Sequence, residues 1–187
     1  MTFDSNFKDI EQDMLIHGLH IKEYDYIINN VDKIESKKFQ TTFNYFFKVR
    51  RNKEWRRIYY ELFQEVYQDS SKQTFEYILT EIYKRTKVIK NNNGYIEASF
   101  ASKMLHSVNP DKPIWDQYVL SYFDIVDVKK GDRIQECINN YKKIEEEYER
   151  LLNNEKVLEL ISRFRKIVTN YRLADMKIID FMIWSNR

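Results

Sequence analysis

The stretch GYIEASFASKMLHSVNPDKPIWDQYVLSY, residues 94–122, decides how the chain folds. It contains both prolines of the chain, Pro110 and Pro113, and also Gly94, one of only three glycines. Because proline disfavours helical backbone in the residue before it, the spacing predicts a helix that starts after Gly94 and stops before Pro110. The prolines then fix an elbow, and a second helix is expected to start at Asp116.

Apolar residues at helical spacing dominate the rest of the chain. They form helical stripes in segments such as 39–47, 75–83 and 138–152, whereas no convincing alternation typical of strands occurs. The 187 residues are 43% hydrophobic and 32% charged, which fits a sizeable core with a solvated exterior. These features predict one all-α unit, irregular and two-lobed, with lobes at 21–115 and at 1–20 plus 116–187.

Charge and cysteine content restrict the partners and the compartment. A formal net charge of +2 does not by itself imply a nucleic-acid partner, so such a partner has to be argued from local clustering. The single cysteine, Cys137, excludes an internal disulfide and fits a reducing compartment. The first residues carry acids where a signal peptide needs basic and then apolar residues, and no 18-residue apolar run occurs. We therefore expect a cytoplasmic protein without a membrane partner.

The densest basic cluster is KVRRNKEWRR, residues 48–57, in which six of ten residues are basic and Glu54 is the single acid. Such a cluster is typical of a surface that contacts phosphate groups. It is equally typical of a solvated junction between two helices, where cations stabilise the C-terminus of the first helix. Both interpretations stay open for the residues concerned, which are Lys48, Arg50, Arg51, Lys53, Arg56 and Arg57.

The helix predicted after Gly94 carries polar side chains beside its apolar face. Lys103 and His106 lie three residues apart and so are neighbours on the helix surface. His106 and Trp115 are candidates for the border of a cleft. His106 also fits a surface position or a hydrogen bond between lobes, and Trp115 also fits a plug in the core at the elbow.

The candidate catalytic residues are Asp116 and Lys103. Asp116 is expected to cap the second helix, which would keep its carboxylate ionised at the positive helix end. Such a carboxylate suits stabilisation of positive charge that develops on a sugar, or the orientation of an attacking water. Lys103 is the nearest amine and would act as a nucleophile or contact a phosphate. Structural roles fit both residues as well, since helix caps and surface lysines are common.

No cofactor or metal is implied by the sequence. His17 and His20 lie three residues apart, but no carboxylate or further histidine lies nearby at a spacing that would complete a metal site. Motifs of phosphate-binding loops, zinc fingers and serine hydrolases do not occur.

Residues 113–119, PIWDQYV, resemble the P-[IV]-x-D-x-x-V end of the active-site region in helix-hairpin-helix (HhH-GPD) DNA glycosylases. The stretches SFASKMLHSVNPDKPIWD, 99–116, and KIIDFMIW, 177–184, are similar to a set of bacterial all-helical proteins distantly related to that fold. The resemblance implies an aspartate that begins the helix, matched here by Asp116. In some family members the preceding helix also carries a lysine. Lys103 lies near the position that corresponds to this lysine. The fold would then be DNA glycosylase-like, and the function DNA binding in DNA repair.

The sequence departs from the family pattern in two places. The family's hairpin carries G-x-G before the lysine, whereas no glycine lies between Gly94 and Lys103. Lys103 precedes Asp116 by 13 positions, which is fewer than in the family.

Two hypotheses about the function follow from these observations. The first is a base-excising protein with Asp116 at the sugar, and the second is a non-catalytic helical protein that binds nucleic acid or a protein partner.

Overall fold

The computed structural model describes residues 20–90, 93–126 and 133–185 of the chain. As the sequence predicts, the regular structure in these ranges is helical, and no β-strand occurs among them. No helix within these ranges is both long enough and apolar enough to span a membrane. The α-helices, in chain order, are α1 (Ile21–Ile28), α2 (Lys37–Phe46), α3 (Lys53–Gln68), α4 (Phe75–Arg85), α5 (Ala98–Val108), α6 (Gln117–Tyr122), α7 (Arg133–Leu152), α8 (Glu155–Ile167) and α9 (Asp175–Ser185).

Side-chain caps fix where several of these helices begin. The Ser36 hydroxyl accepts a hydrogen bond of 3.1 Å from the amide of Phe39 and so caps α2. Asn52 and Thr74 cap α3 and α4 in the same way. These side chains satisfy amides that have no partner within the first helical turn, so a helix is favoured to start at each of them.

One cluster of buried apolar side chains runs through the described residues, from Tyr24 in α1 to Ile183 in α9. Aromatic rings fill much of it: the ring of Phe43 in α2 lies 6.0 Å from that of Tyr59 and 5.5 Å from that of Phe63 in α3. Helix α9 is buried over most of its length because apolar residues cover nearly all its sides. The division into two lobes stays a prediction, and its segment 1–19 lies outside the described residues.

The elbow between α5 and α6 is held by hydrogen bonds to its backbone. The Trp115 amide donates to Oγ of Ser102 in α5, and the Tyr141 hydroxyl in α7 donates to the carbonyl of Pro113, each at 2.8 Å. The Trp115 ring also stacks on Phe75 of α4, with ring centroids 6.1 Å apart. Because three helices hold the elbow, the start of α6 has a fixed place on the core.

Candidate functional site

A cleft of about 720 Å³ lies where α2, α5, α6 and α9 meet. Its volume falls within the range of about 300–1,000 Å³ that is usual for small-ligand pockets. Five charged side chains line it among aromatic rings, three of them lysines and two aspartates. The segments that form its walls are far apart in the sequence. The lining residues discussed below are His20, Phe46, Lys48, Ser99, Lys103, Trp115, Asp116, Tyr118, Lys177, Asp180, Phe181 and Trp184.

Asp116 caps α6, as the sequence predicts, and lines the cleft. Its Oδ1 accepts hydrogen bonds from the amides of Tyr118 (2.8 Å) and Val119 (3.0 Å). Burial raises the pKa of Asp116, and so does the nearby Asp180, whereas the two amides and Lys103 act in the opposite direction. The sequence predicted the cap itself, but it gave no sign of the burial or of the second carboxylate, and because of these the pKa of Asp116 is raised and not lowered as the cap alone would predict.

Lys103 lies in the same cleft and is largely buried. Its ammonium donates a hydrogen bond of 2.9 Å to the Ser99 hydroxyl and lies 5.2 Å from the ring centre of Phe100. No acid of the described residues lies within ion-pair distance of it. Burial lowers the pKa of Lys103, while the charge of Asp116 partly offsets this effect. The two candidate catalytic residues thus share one cleft without forming an ion pair.

Lys177 and Asp180 are two site residues that the sequence analysis missed. Both line the cleft although only 3% and 7% of their surfaces are exposed, and the Lys177 ammonium donates to Oδ2 of Asp180 at 2.5 Å. The rings of Phe181, Tyr24 and Phe46 surround the ammonium at 4.4, 5.1 and 5.2 Å. One sequence signal could have found this pair: a lysine and an aspartate three apart interrupt the otherwise apolar segment KIIDFMIW.

Trp115 combines the two roles considered from the sequence. Its side chain is only 4% exposed and stacks against Phe75 in the core. It also lines the cleft, between the elbow and α6. Trp115 is therefore a fixed part of the cleft wall.

His106 does not line the cleft, which corrects the expectation that it borders this site. It is 1% exposed, with Nδ1 2.6 Å from the carbonyl oxygen of Lys112 and Nε2 2.8 Å from the hydroxyl of Tyr24. Because a carbonyl can only accept, Nδ1 carries the proton and the Tyr24 hydroxyl donates to Nε2. Burial lowers the pKa of His106 to about 4, as does the charge of Lys177, so the imidazole is neutral near pH 7.

The basic cluster of residues 48–57 does not form one surface. Lys48 lines the cleft, whereas Lys53, Arg56 and Arg57 line a second groove of about 780 Å³ between α2 and α3. That groove also contains three glutamates, and Arg57 pairs with one of them, Glu61, at 2.8 Å.

The two remaining arginines of the cluster differ from each other. Arg51 forms an ion pair with Glu97, so its charge is compensated. Arg50 is exposed and has no ion-pair partner among the described residues. Lys48 is therefore the cation of this cluster that lines the cleft, and Arg50 is an exposed cation two residues further along the chain.

The rim of the cleft has unusual backbone geometry at two residues. His20 and Lys48 both line the cleft and have positive φ values of 47° and 54°. Both contact Tyr45, which is 50% exposed: its ring lies 5.2 Å from the His20 ring and 4.6 Å from the Lys48 ammonium. Left-handed backbone in residues other than glycine costs free energy and tends to occur at functional positions. His17, which the sequence analysis considered together with His20, lies outside the described residues.

Comparisons with protein-family models, with curated protein sequences and with solved structures returned no match to this chain. Within residues 20–90, 93–126 and 133–185, no group of three or more His, Cys, Asp or Glu side chains is placed to hold a metal ion. What the geometry establishes is an all-α protein with a cleft in which aromatic rings lie beside three lysines and two aspartates.

Proposed function

We propose that this protein binds DNA and takes one extruded nucleotide into the cleft, with the carboxylate of Asp116 at the sugar. The observation that carries the proposal is that Asp116, held by two backbone amides, shares the cleft with Lys103 and with stacking surfaces such as Trp115 and Phe181. The resemblance of residues 113–119 to HhH-GPD glycosylases supports the same assignment.

The size and the walls of the cleft suit a nucleotide. Enzymes that act on a base take it out of the stack and hold it between aromatic or apolar side chains. Phe46, Phe181 and Trp184 supply such side chains from α2 and α9. Lys48 at the rim and the neighbouring Arg50 supply positive charge for phosphate groups beside the extruded nucleotide.

The proposed chemistry is release of the base from the sugar. Positive charge develops on the sugar as the bond between C1′ and the base breaks, and an ionised Asp116 would stabilise it or orient a water for attack on C1′. Lys103 and the amides of Tyr118 and Val119 favour this ionised form. The raised pKa of Asp116 predicts that base release accelerates as the pH rises through that pKa.

A second candidate function is binding of DNA without base release. It is favoured by the lack of glycine between Gly94 and Lys103, because the hairpin of HhH-GPD glycosylases uses glycine to bring backbone amides close to a phosphate. Asp180 opposes the ionisation of Asp116, which also favours binding without base release.

Binding to short duplexes, intact or with a stable abasic-site analogue, measured across a salt series, tests the proposal. We expect the abasic duplex to bind more tightly, since an unpaired site reduces the cost of extrusion. Lys48→Glu together with Arg50→Glu should weaken binding and flatten its salt dependence. Lys142→Glu together with Lys143→Glu, at two exposed lysines of α7 that do not line the cleft, is the control matched in charge.

The catalytic step is tested with Asp116→Asn. Asparagine is also a good helix cap, so the fold should be retained. If duplexes that carry damaged bases lose a base with wild-type protein but not with the variant, the excision proposal is supported. Abasic preference without base release in either protein would favour the second candidate, and the absence of binding at low salt would exclude both.

A further inference from the structure

Lys177 and Asp180 have hydrogen-bonding capacity that the protein does not use. The ammonium has three donors, and one hydrogen bond from it is made among the described residues, to Oδ2 of Asp180. The other carboxylate oxygen, Oδ1, accepts no hydrogen bond from that part of the chain. Open donors and an open acceptor therefore belong to two paired residues that both line the cleft.

Stability does not explain why a charged pair is present here. A buried ion pair loses solvation on folding, and apolar replacements of similar size are often neutral or stabilising. The neighbours of the pair in α9, such as Ile178, Ile179 and Met182, are completely buried apolar residues. An apolar pair would fit these surroundings, so the charges point to a ligand.

We propose that Lys177 and Asp180 recognise the edge of the extruded base, and that this edge has a hydrogen-bond acceptor next to an N–H donor. This inference rests on the proposed function and names the chemistry of the ligand. Lys177 donates to a carbonyl oxygen or ring nitrogen of the base. Asp180 accepts from the neighbouring N–H through its open oxygen, Oδ1.

The surroundings of the pair favour a flat ring over other ligands with the same polar groups. The ring of Phe181, one residue beyond Asp180, lies in the cleft wall and 4.4 Å from the Lys177 ammonium. Phe46, from α2, also lines the cleft. A planar base can stack on such rings while its edge contacts the pair.

The pair also predicts which bases the cleft rejects. A base that enters without a donor next to its acceptor displaces water from Asp180 but gives no hydrogen bond in return. Sites that form hydrogen bonds with a substrate discriminate strongly against analogues that lack those groups. Discrimination should therefore depend on the edge and not on the size of the ring.

Two purines of similar size provide the test. Hypoxanthine has a carbonyl oxygen beside a ring N–H, whereas unsubstituted purine has a ring nitrogen with no N–H next to it. Each is placed as a single-nucleotide bulge in the same duplex, so that no base pair has to open in either case and no abasic site competes for the cleft. We expect the wild-type protein to bind the hypoxanthine duplex at least about tenfold more tightly.

The double variant Lys177→Leu/Asp180→Leu should bind the two duplexes equally. It removes both charges together, so no unpaired charge stays buried, and a thermal melt verifies that it folds. The double variant Arg57→Leu/Glu61→Leu removes an exposed ion pair of α3 outside the cleft and should keep the wild-type ratio.

The outcomes distinguish this inference from the proposed function. Equal binding of both purine duplexes by wild-type protein that still prefers abasic over intact DNA would overturn the role of the pair and leave the proposed function standing. An unchanged ratio in the Lys177/Asp180 variant would do the same. Failure to bind any of the duplexes would overturn the proposed function, and the inference with it.

Discussion

The amide of Trp115 donates a hydrogen bond of 2.8 Å to the hydroxyl of Ser102, across 13 positions of the chain. The same hydroxyl donates to the carbonyl of Ser99, so it links the elbow to the middle of α5. This bond gives a structural reason for the spacing of serine and tryptophan in the stretch 99–116. It also positions the residue after Trp115, which is Asp116.

Ser102→Ala should destabilise the fold by about 1–3 kcal/mol, because it leaves a buried amide without an acceptor. Ser107→Ala is the matched control: Ser107 is also buried in α5, but its hydroxyl donates only to the carbonyl of Lys103 within the helix. Chemical denaturation of both variants measures the difference. Equal free energies of unfolding for the two variants would show that the Ser102 hydroxyl does not hold the elbow.

The elbow and its helices were predictable from the sequence because proline, glycine and cap residues act locally. Pro110 and Pro113 restrict the backbone conformation of the residues next to them, and Asp116 caps the helix that directly follows it. The cleft was not predictable in the same way. Lys177 lies 61 positions after Asp116, and only the packing of α9 brings the two residues into the same cleft. Helical spacing placed His106 on the polar side of α5, but it could not reveal the partner, Tyr24, that buries it.

The stability of the protein should fall as the pH drops from 6.5 towards 4, in part because of His106. Its imidazole has a pKa of about 4 in the folded protein against 6.5 when unperturbed, so the unfolded state binds more protons in this window. The neutral imidazole therefore contributes stability that is fully present above pH 6.5. The loss below that pH should reach about 1.4 kcal/mol per pH unit for this one group.

His106→Gln tests this effect, because glutamine does not titrate. Urea denaturation at several pH values between 7 and 4.5 gives the free energy of unfolding of both proteins. Carboxyl groups contribute equally to the pH dependence of the free energy of unfolding in both proteins. The difference between the two slopes therefore gives the contribution of His106. Parallel curves would mean that His106 titrates normally in the folded state.

Gly94 should not tolerate a side chain. Its φ is +51°, and a Cβ atom built on it would lie 2.2 Å from the carbonyl oxygen of Tyr83. Gly94→Ala should therefore cost more than about 2 kcal/mol, from backbone strain and from the clash with a backbone atom. Asn93→Ala, at an exposed neighbouring position, is the control and should change the free energy of unfolding little. A Gly94→Ala protein as stable as the control would contradict the described turn.

The charge of Asp116 should be measurable at Lys103. Burial lowers the pKa of Lys103, and the carboxylate of Asp116 partly opposes this effect. Asp116→Asn removes the negative charge but keeps a cap for α6, so the pKa of Lys103 should fall further below its usual value. The titration is followed by ¹³C NMR of proteins labelled at the lysine Cε. Asp111→Asn removes an exposed carboxylate outside the cleft and should leave Lys103 unchanged. If Asp116→Asn also leaves the titration of Lys103 unchanged, the two residues do not act on each other, and Lys103 does not favour the ionised form of Asp116.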